Sequence, residues 1–321
     1  MTVKKPLAAI VGPTATGKSA IALHVAARLQ AEIISVDSAQ VYRGMDIGTA
    51  KLPPADRVGP GGVPIPHHLI DIVAPDEPFS VADFQRLARE TIDSILQRGH
   101  LPLLVGGTGL YYQAVVDPYL FTSLPGDKKI RQHLEEQAQR YGNEHLYEEL
   151  KKVDPEAARR IHIHDRRRIV RALEVYMMTG RPISAALEWR HQQETPYRLA
   201  VVGLTMPRPQ LYRRIEERVD AMIARGLVEE VRGLLARYDY RLPALQAVGY
   251  KEIGAYLRGE MELEEAIALL KRNTRRLAKR QLTWFRRDLR LQWWEVDPVK
   301  MEEMAVGIAN YIARLLDINV E

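Results

Sequence analysis

Cysteine is absent from the 321 residues, which excludes a disulfide framework, a thiolate zinc site and a thiol nucleophile. Long apolar runs are missing too. The longest stretch free of Asp, Glu, Lys, Arg and His is LPLLVGGTGLYYQAVV, 101–116, shorter than a bilayer span and interrupted by three glycines, so no membrane helix is expected. Two lysines and a six-residue apolar run, 6–11, precede a glycine-containing loop; this is not a signal-peptide core, and the expectation is a cytoplasmic protein. Neither an N-K-x-D guanine-reading signature nor the G-x-G-x-x-G of dinucleotide binders occurs, and no second apolar run ends in an Asp followed by a nucleotide-hydrolysis switch, which weakens a G-protein or motor reading.

The net charge of +5 is unevenly spread. Residues 1–120 hold ten basic and eleven acidic side chains, and 121–321 hold thirty-six and thirty. The surplus cation therefore belongs to the later chain, a hint of a polyanionic partner. It concentrates in 159–171, with six Arg and one Asp, and in 271–290, with nine Lys or Arg and one Asp.

Short apolar runs alternate with helical patterns in the first third: 6–11, a helix from about Lys18 to Leu29, then 31–36, 68–73, a helix over 80–98, and 101–105. That alternation predicts an α/β fold, a parallel sheet covered on both faces by helices. Eight Pro or Gly fall in 53–66, which marks a long loop. Strand-like runs vanish over 125–195, read as an α-helical insertion between core segments 1–124 and 196–321. A strand returns at 198–206, followed by helices at 209–225, 227–237, 246–258 and 262–286, a short strand at 291–296 and an amphipathic last helix. In the 262–286 helix, Arg272, Arg275, Arg276, Lys279 and Arg280 are expected to cover one side, with Leu270, Leu277 and Phe285 facing inward.

Residues 12–19, GPTATGKS, fill every fixed position of the G-x-x-x-x-G-K-[ST] phosphate loop between a strand and a helix. Gly12 and Gly17 let the backbone curl, the amides of Thr14, Ala15 and Thr16 can face phosphate oxygens, Lys18 adds a full charge, and Ser19 is the candidate Mg²⁺ ligand. Asp37 closes the second apolar strand and should emerge at the same carboxyl edge, where it can hold Mg²⁺, accept a proton or cap a turn. Thr108, in a G-G-T-G turn, is either a helix cap or a site residue. His67, His68, His162 and His164 lack a third metal partner and are assigned to local structure.

Seven ordered blocks go further: ISVDSAQVYRGMDIGTAK (34–51), HHLID (67–71), LVGGTGLY (104–111), DRRRIVRALEV (165–175), RIEERVDAMIARGLVEEV (214–231), VGYKEI (248–253) and TRRLAKRQLTWFR (274–286). In that order and spacing the chain resembles the bacterial-type tRNA dimethylallyltransferases, the IPP transferase family, from about residue 6 to 295. The resemblance implies a P-loop NTPase-like sheet with an α-helical insertion contacting tRNA. It implies transfer of a dimethylallyl group from dimethylallyl diphosphate to the exocyclic amine of the adenosine 3′-adjacent to the anticodon, with diphosphate released; Mg²⁺ is the expected cofactor and a monomer the expected state. By the same resemblance Asp37 is the general base, Thr108 and Lys18 stand at the reaction centre, and Arg208 and Arg214 join the loop in binding diphosphate. Expected tRNA contacts are Asp37, Ser38, Ala39 and Gln40, then Arg167, Arg168 and Arg171, then Gln246, Gly249 and Lys251. The rival readings are a prenyltransferase acting on free adenine nucleotides and a small-molecule kinase, which would require ATP.

Overall fold

The computed structural model describes residues 4–118, 127–185 and 194–319. They divide into two compact units, Met1–Val116 with Pro196–Glu321, and Asp117–Thr195. The division falls at Asp117; the boundary expected at 124/125 lies outside the described residues.

The first unit is built on six parallel strands in the order β3-β2-β4-β1-β5-β6. These are β1 (Lys5–Val11), β2 (Ala31–Ser35), β3 (His67–His68), β4 (Leu101–Gly106), β5 (Tyr197–Thr205) and β6 (Gln292–Glu295). Central β1 is apolar from Leu7 onward, as a strand covered on both faces must be. Its Ala8 and Ile10 face a core shared with α1 (Lys18–Arg28) and α12 (Met301–Leu316), where Ile21, Val25, Ile308 and Ile312 pack. Leu7, Ala9 and Val11 face the other way, onto Phe84 and Ile92 of α2 (Val81–Gln97) and Tyr112 of α3 (Gly109–Val116). The period of two thus sorts one strand into two cores.

A third core holds α8 (Arg208–Ala224), α9 (Leu227–Leu235), α10 (Tyr250–Leu257) and α11 (Leu263–Phe285) together through Val219, Val231, Ile253 and Leu270. Met45, from the loop after β2, is buried in it. On α11 the inward residues are Ala266, Leu270, Thr274, Ala278 and Phe285; Leu277, expected inside, is only half-buried.

The expected strand 68–73 is cut short after His68 because Leu69 and Asp71 take φ of 60° and 58°, a region closed to extended backbone. Residues 71–73 instead hydrogen-bond to 40–43 outside the sheet. The Pro/Gly-rich loop carries two short 3₁₀ turns, Pro54–Asp56 and Pro60–Gly62.

The second unit is helical: α4 (Lys128–Tyr141), α5 (Asn143–Val153), α6 (Pro155–Arg160) and α7 (Arg166–Thr179) pack Leu134, Leu146, Leu150, Ile169 and Leu173 into their own core. Glu174, fully buried there, is ion-paired with Arg131 and Arg171, as a buried carboxylate requires. Among the described residues no helix is long and apolar enough to cross a membrane.

Candidate active site

The loop between β1 and α1 bends where only certain residues fit. Gly12 has φ 144°, and a Cβ there would lie 2.4 Å from the Leu204 carbonyl oxygen, so backbone packs directly on backbone. Ala15 and Gly17 also take positive φ, 66° and 90°. The Thr16 hydroxyl, fully buried, donates to the Pro13 carbonyl at 2.9 Å, and Lys18 Nζ donates to the same oxygen at 2.7 Å. Burial, then the neighbouring Arg218 guanidinium, lowers the Lys18 ammonium to about 7, with Asp37 opposing.

Other elements fasten the loop from outside. Arg214 Nε of α8 donates to the Ala15 carbonyl at 3.0 Å. One turn later Arg218 donates to the Thr14 hydroxyl at 3.2 Å, and its own pKa is lowered, first by burial and then by Arg214. From α11 the Gln281 Oε1 accepts the Thr14 N–H at 2.8 Å.

The carboxyl ends of β2 and β4 supply the rest. A Cβ on Gly106 would come within 2.5 Å of the Val36 carbonyl oxygen, and this close approach lets the Thr108 N–H donate to that oxygen at 3.0 Å. The Thr108 hydroxyl accepts the Ser38 N–H at 3.0 Å. Asp37 Oδ1 accepts the Ala39 N–H at 2.9 Å, which fixes the carboxylate and leaves Oδ2 as a free acceptor. Gln40 takes the Ser35 hydroxyl on its oxygen and gives its amide N–H to the Thr49 carbonyl.

These groups open into one cleft of about 690 Å³, its mouth included. Thr14, Lys18, Ser19, Gly107, Arg218 and Gln281 form its cationic end; Asp37, Gln40 and Thr49 line it beside apolar Ile33, Leu52, Ile70 and Val105. The arrangement suits an anion with an apolar tail and an acidic proton nearby. Ser19 presents an exposed hydroxyl, and with the Asp37 carboxylate in the same cleft it is a hard oxygen donor of the kind Mg²⁺ takes. Among the described residues no cluster of three His, Cys, Asp or Glu could hold a metal by itself, so such an ion would depend on ligand oxygens and water.

Not every expected residue of the first unit lines this cleft. Arg208, expected to bind diphosphate, is exposed at the first turn of α8, where it donates to the Tyr212 hydroxyl at 3.0 Å and lies over that ring. Gln246 is tied to the Tyr240 carbonyl, and Lys251 is 3.7 Å from Glu252. Gly249, at φ 105°, opens α10 beside Gly48 of the loop that follows Gln40. In the second unit Arg171 is held by Glu174 at 2.7 Å and Arg168 pairs with Asp165, while Arg167 is exposed. His162 and His164 form a turn before α7, the His164 N–H donating to His162 Nδ1.

Arg218, Gln281 and His67 are cleft residues that the sequence did not single out. Arg218 and Gln281 sit inside two of the seven blocks, and an Arg four residues after Arg214 on one helix face was a usable signal. His67, given no role, lines the cleft with Nδ1 2.8 Å from the Ile65 carbonyl; burial holds its imidazole below the ordinary range.

The model of the family described as IPP transferase matches residues 40–288, and one described as isopentenyl transferase matches 5–57. The chain is 77% identical over 321 residues to a tRNA dimethylallyltransferase of Moorella thermoacetica, covering 100% of this chain and 99% of that protein. It is 53% identical to the enzyme of that name from Heliobacterium modesticaldum, covering 97% and 96%. Among solved structures it resembles the full-length tRNA isopentenylpyrophosphate transferase of Bacillus halodurans, at 46% identity and TM-score 0.72 over 98% and 97% of the two chains. A eukaryotic dimethylallyltransferase acting on tRNA superposes with TM-score 0.83 at 27% identity, over 99% of this chain and 81% of that one.

Proposed function

This chain belongs to the IPP transferase family, and from that premise we propose that it moves the dimethylallyl group of dimethylallyl diphosphate onto tRNA. The acceptor is the exocyclic amine of the adenosine 3′-adjacent to the anticodon, and diphosphate is released. The observation that carries this reading is the single cleft in which the cationic phosphate loop and Asp37 meet.

The C–O bond of the donor breaks, leaving its electron pair on the diphosphate; the adenine nitrogen gives its pair to the allylic carbon. Negative charge therefore grows on the leaving oxygens, where Lys18, Arg218 and the loop amides are preorganised to receive it. The amine loses a proton as the N–C bond forms, and Asp37 Oδ2 is the free acceptor beside it. Thr108 keeps Asp37's loop in register through the Ser38 N–H. Mg²⁺, held by Ser19 and donor oxygens, would add charge neutralisation on the leaving group.

An anticodon-loop base is stacked, so it must be drawn out to reach Asp37. Cations for the RNA backbone are available on α11. Arg272, Arg276, Lys279 and Arg280 are exposed along one face, whereas Arg275 and Lys271 are neutralised by Glu216 and Asp220 of α8. This stripe favours tRNA over a free nucleotide, which needs no such surface. The test is incubation with dimethylallyl diphosphate and Mg²⁺, plus either unmodified tRNA or AMP, followed by mass analysis of nucleosides. Prenylated adenosine from tRNA alone is expected; product from AMP alone overturns the reading.

A further inference from the structure

Lys51 ends the GMDIGTAK stretch and is 6% exposed. It does not line the cleft. Its ammonium has three protons, and three acceptors receive them: the Tyr42 carbonyl at 2.6 Å, Asp46 Oδ1 at 2.9 Å and Asp71 Oδ1 at 2.5 Å. A buried ammonium is tolerated only when so fully paired, and its three partners come from two stretches of chain, Tyr42 and Asp46 from one and Asp71 from the other.

The backbone around it is held in uncommon conformations. Ala50, Leu69 and Asp71 have φ of 53°, 60° and 58°, three of the six non-glycine residues with positive φ among the described residues. Such geometry persists where surrounding bonds over-determine it. Here the Asp71 N–H donates to the Gln40 carbonyl, the Ile72 N–H to Val41, and the Arg43 N–H to Val73. The two segments so joined contribute Gln40, Thr49, Ala50 and Leu52, and His67 and Ile70, to the cleft wall.

We propose that Lys51 is a positioning residue for prenyl transfer: its ammonium clamps segments 40–52 and 67–71 into one wall, which sets Gln40 and the neighbouring Asp37 against the acceptor base. The inference rests on the reading of the site as a tRNA prenyltransferase. The phosphate loop lies outside the clamp, so losing Lys51 disturbs the acceptor side and spares the binding of the diphosphate end.

Because the chain has no cysteine, Lys51→Cys creates a single thiol. Alkylation of the unfolded variant with 2-bromoethylamine forms an S–C bond, expels bromide and restores an ammonium at nearly the original length. Iodoacetamide instead leaves a neutral amide. After refolding, the carbamidomethyl protein is expected to show kcat on tRNA reduced by about 10²-fold with affinity for inorganic diphosphate unchanged, and the aminoethyl protein to regain most of that rate. Equal rates for the two alkylated forms, or a diphosphate affinity that falls with kcat, overturns the proposal. Should neither form refold, Asp71→Asn serves: it keeps the side-chain length and the tolerance of positive φ, and it is expected to lower kcat at constant diphosphate affinity. An unchanged kcat in that variant also overturns it. Wild-type protein that fails to prenylate tRNA sinks the functional reading instead, so the two failures are distinguishable.

Discussion

Replacing Arg218 by Met keeps the length of the buried stem and removes the guanidinium that faces Lys18, Arg214 and Thr14. A hydrogen bond from a charged donor contributes about 1.5–3 kcal/mol, so inorganic diphosphate should bind roughly 10–150-fold more weakly. The loss is larger in the transition state, where charge accumulates on the leaving oxygens, and kcat/KM should fall by about 10²–10³. The ligand-free protein should respond in the opposite direction. Arg218 is, after burial, the largest influence lowering the Lys18 ammonium; without it a like-charge repulsion disappears, and thermal stability should hold or rise. Calorimetric titration with diphosphate, single-turnover prenylation and thermal unfolding of the ligand-free protein separate these effects. Arg218→Lys should recover only part of the loss, because an ammonium lacks the guanidinium fork. A variant that binds diphosphate normally but unfolds several degrees lower would make Arg218 a strut of the loop and refute the reasoning.

Asp37→Asn keeps the acceptor for the Ala39 N–H but not the base, so single-turnover rates should drop by about 10²–10⁴ with tRNA affinity retained; a full rate removes Asp37 as proton acceptor. Glu32 lies at the opposite end of β2, 3% exposed; burial would raise its pKa, but hydrogen bonds from Arg98, His100 and His68 outweigh it and hold the carboxyl at about 2 against an ordinary 4.5. Its stabilisation, at most about 3 kcal/mol, is complete above pH 4.5 and lost as pH falls through about 2. Denaturant unfolding should therefore show Glu32→Gln weaker than wild type at pH 7 and equal to it near pH 2; a gap that persists in acid contradicts the linkage. Changing Arg272, Arg276, Lys279 and Arg280 together to Gln should reduce the slope of log tRNA affinity against log salt by about 3. An unaltered slope would place the RNA elsewhere.

What the sequence disclosed follows from how local each physical cause is. The phosphate loop was legible because an apolar run, two required glycines, Lys18 and Ser19 are contiguous, and Asp37 because it ends a strand. The 68–73 segment reads as a strand because its apolar character is real, while the positive φ at Leu69 and Asp71 accompanies bonds to distant chain: the Asp71 carboxylate accepts from Lys51 and its N–H donates to the Gln40 carbonyl. Arg208 and Arg218 are the same residue type on the same helix. Arg214 and Arg218, four apart, share the face turned to the loop, whereas Arg208 falls on another and stacks on Tyr212. Charge counting alone also does not see ion pairing: Arg171 is bridged to buried Glu174 on its own helix, and Arg275 to Glu216 of α8.

The cations of the first unit therefore take two physically different forms. Burial lowers the pKa of both Lys18 and Arg218, a neighbouring cation lowers each further, and Asp37 opposes in both cases; an anionic ligand in the cleft would relieve that crowding. The cations along α11 are exposed to solvent. A buried cluster of this kind discriminates by the charge and shape of a small leaving group, while an exposed stripe reads only the phosphate spacing of a polymer and weakens with salt. High salt should accordingly impair tRNA binding far more than diphosphate binding, because screening reaches the helix face but not the desolvated loop. Equal salt sensitivity of the two, measured side by side, would mean that the loop cations are as hydrated as the stripe, and the electrostatic account of catalysis would fail with it.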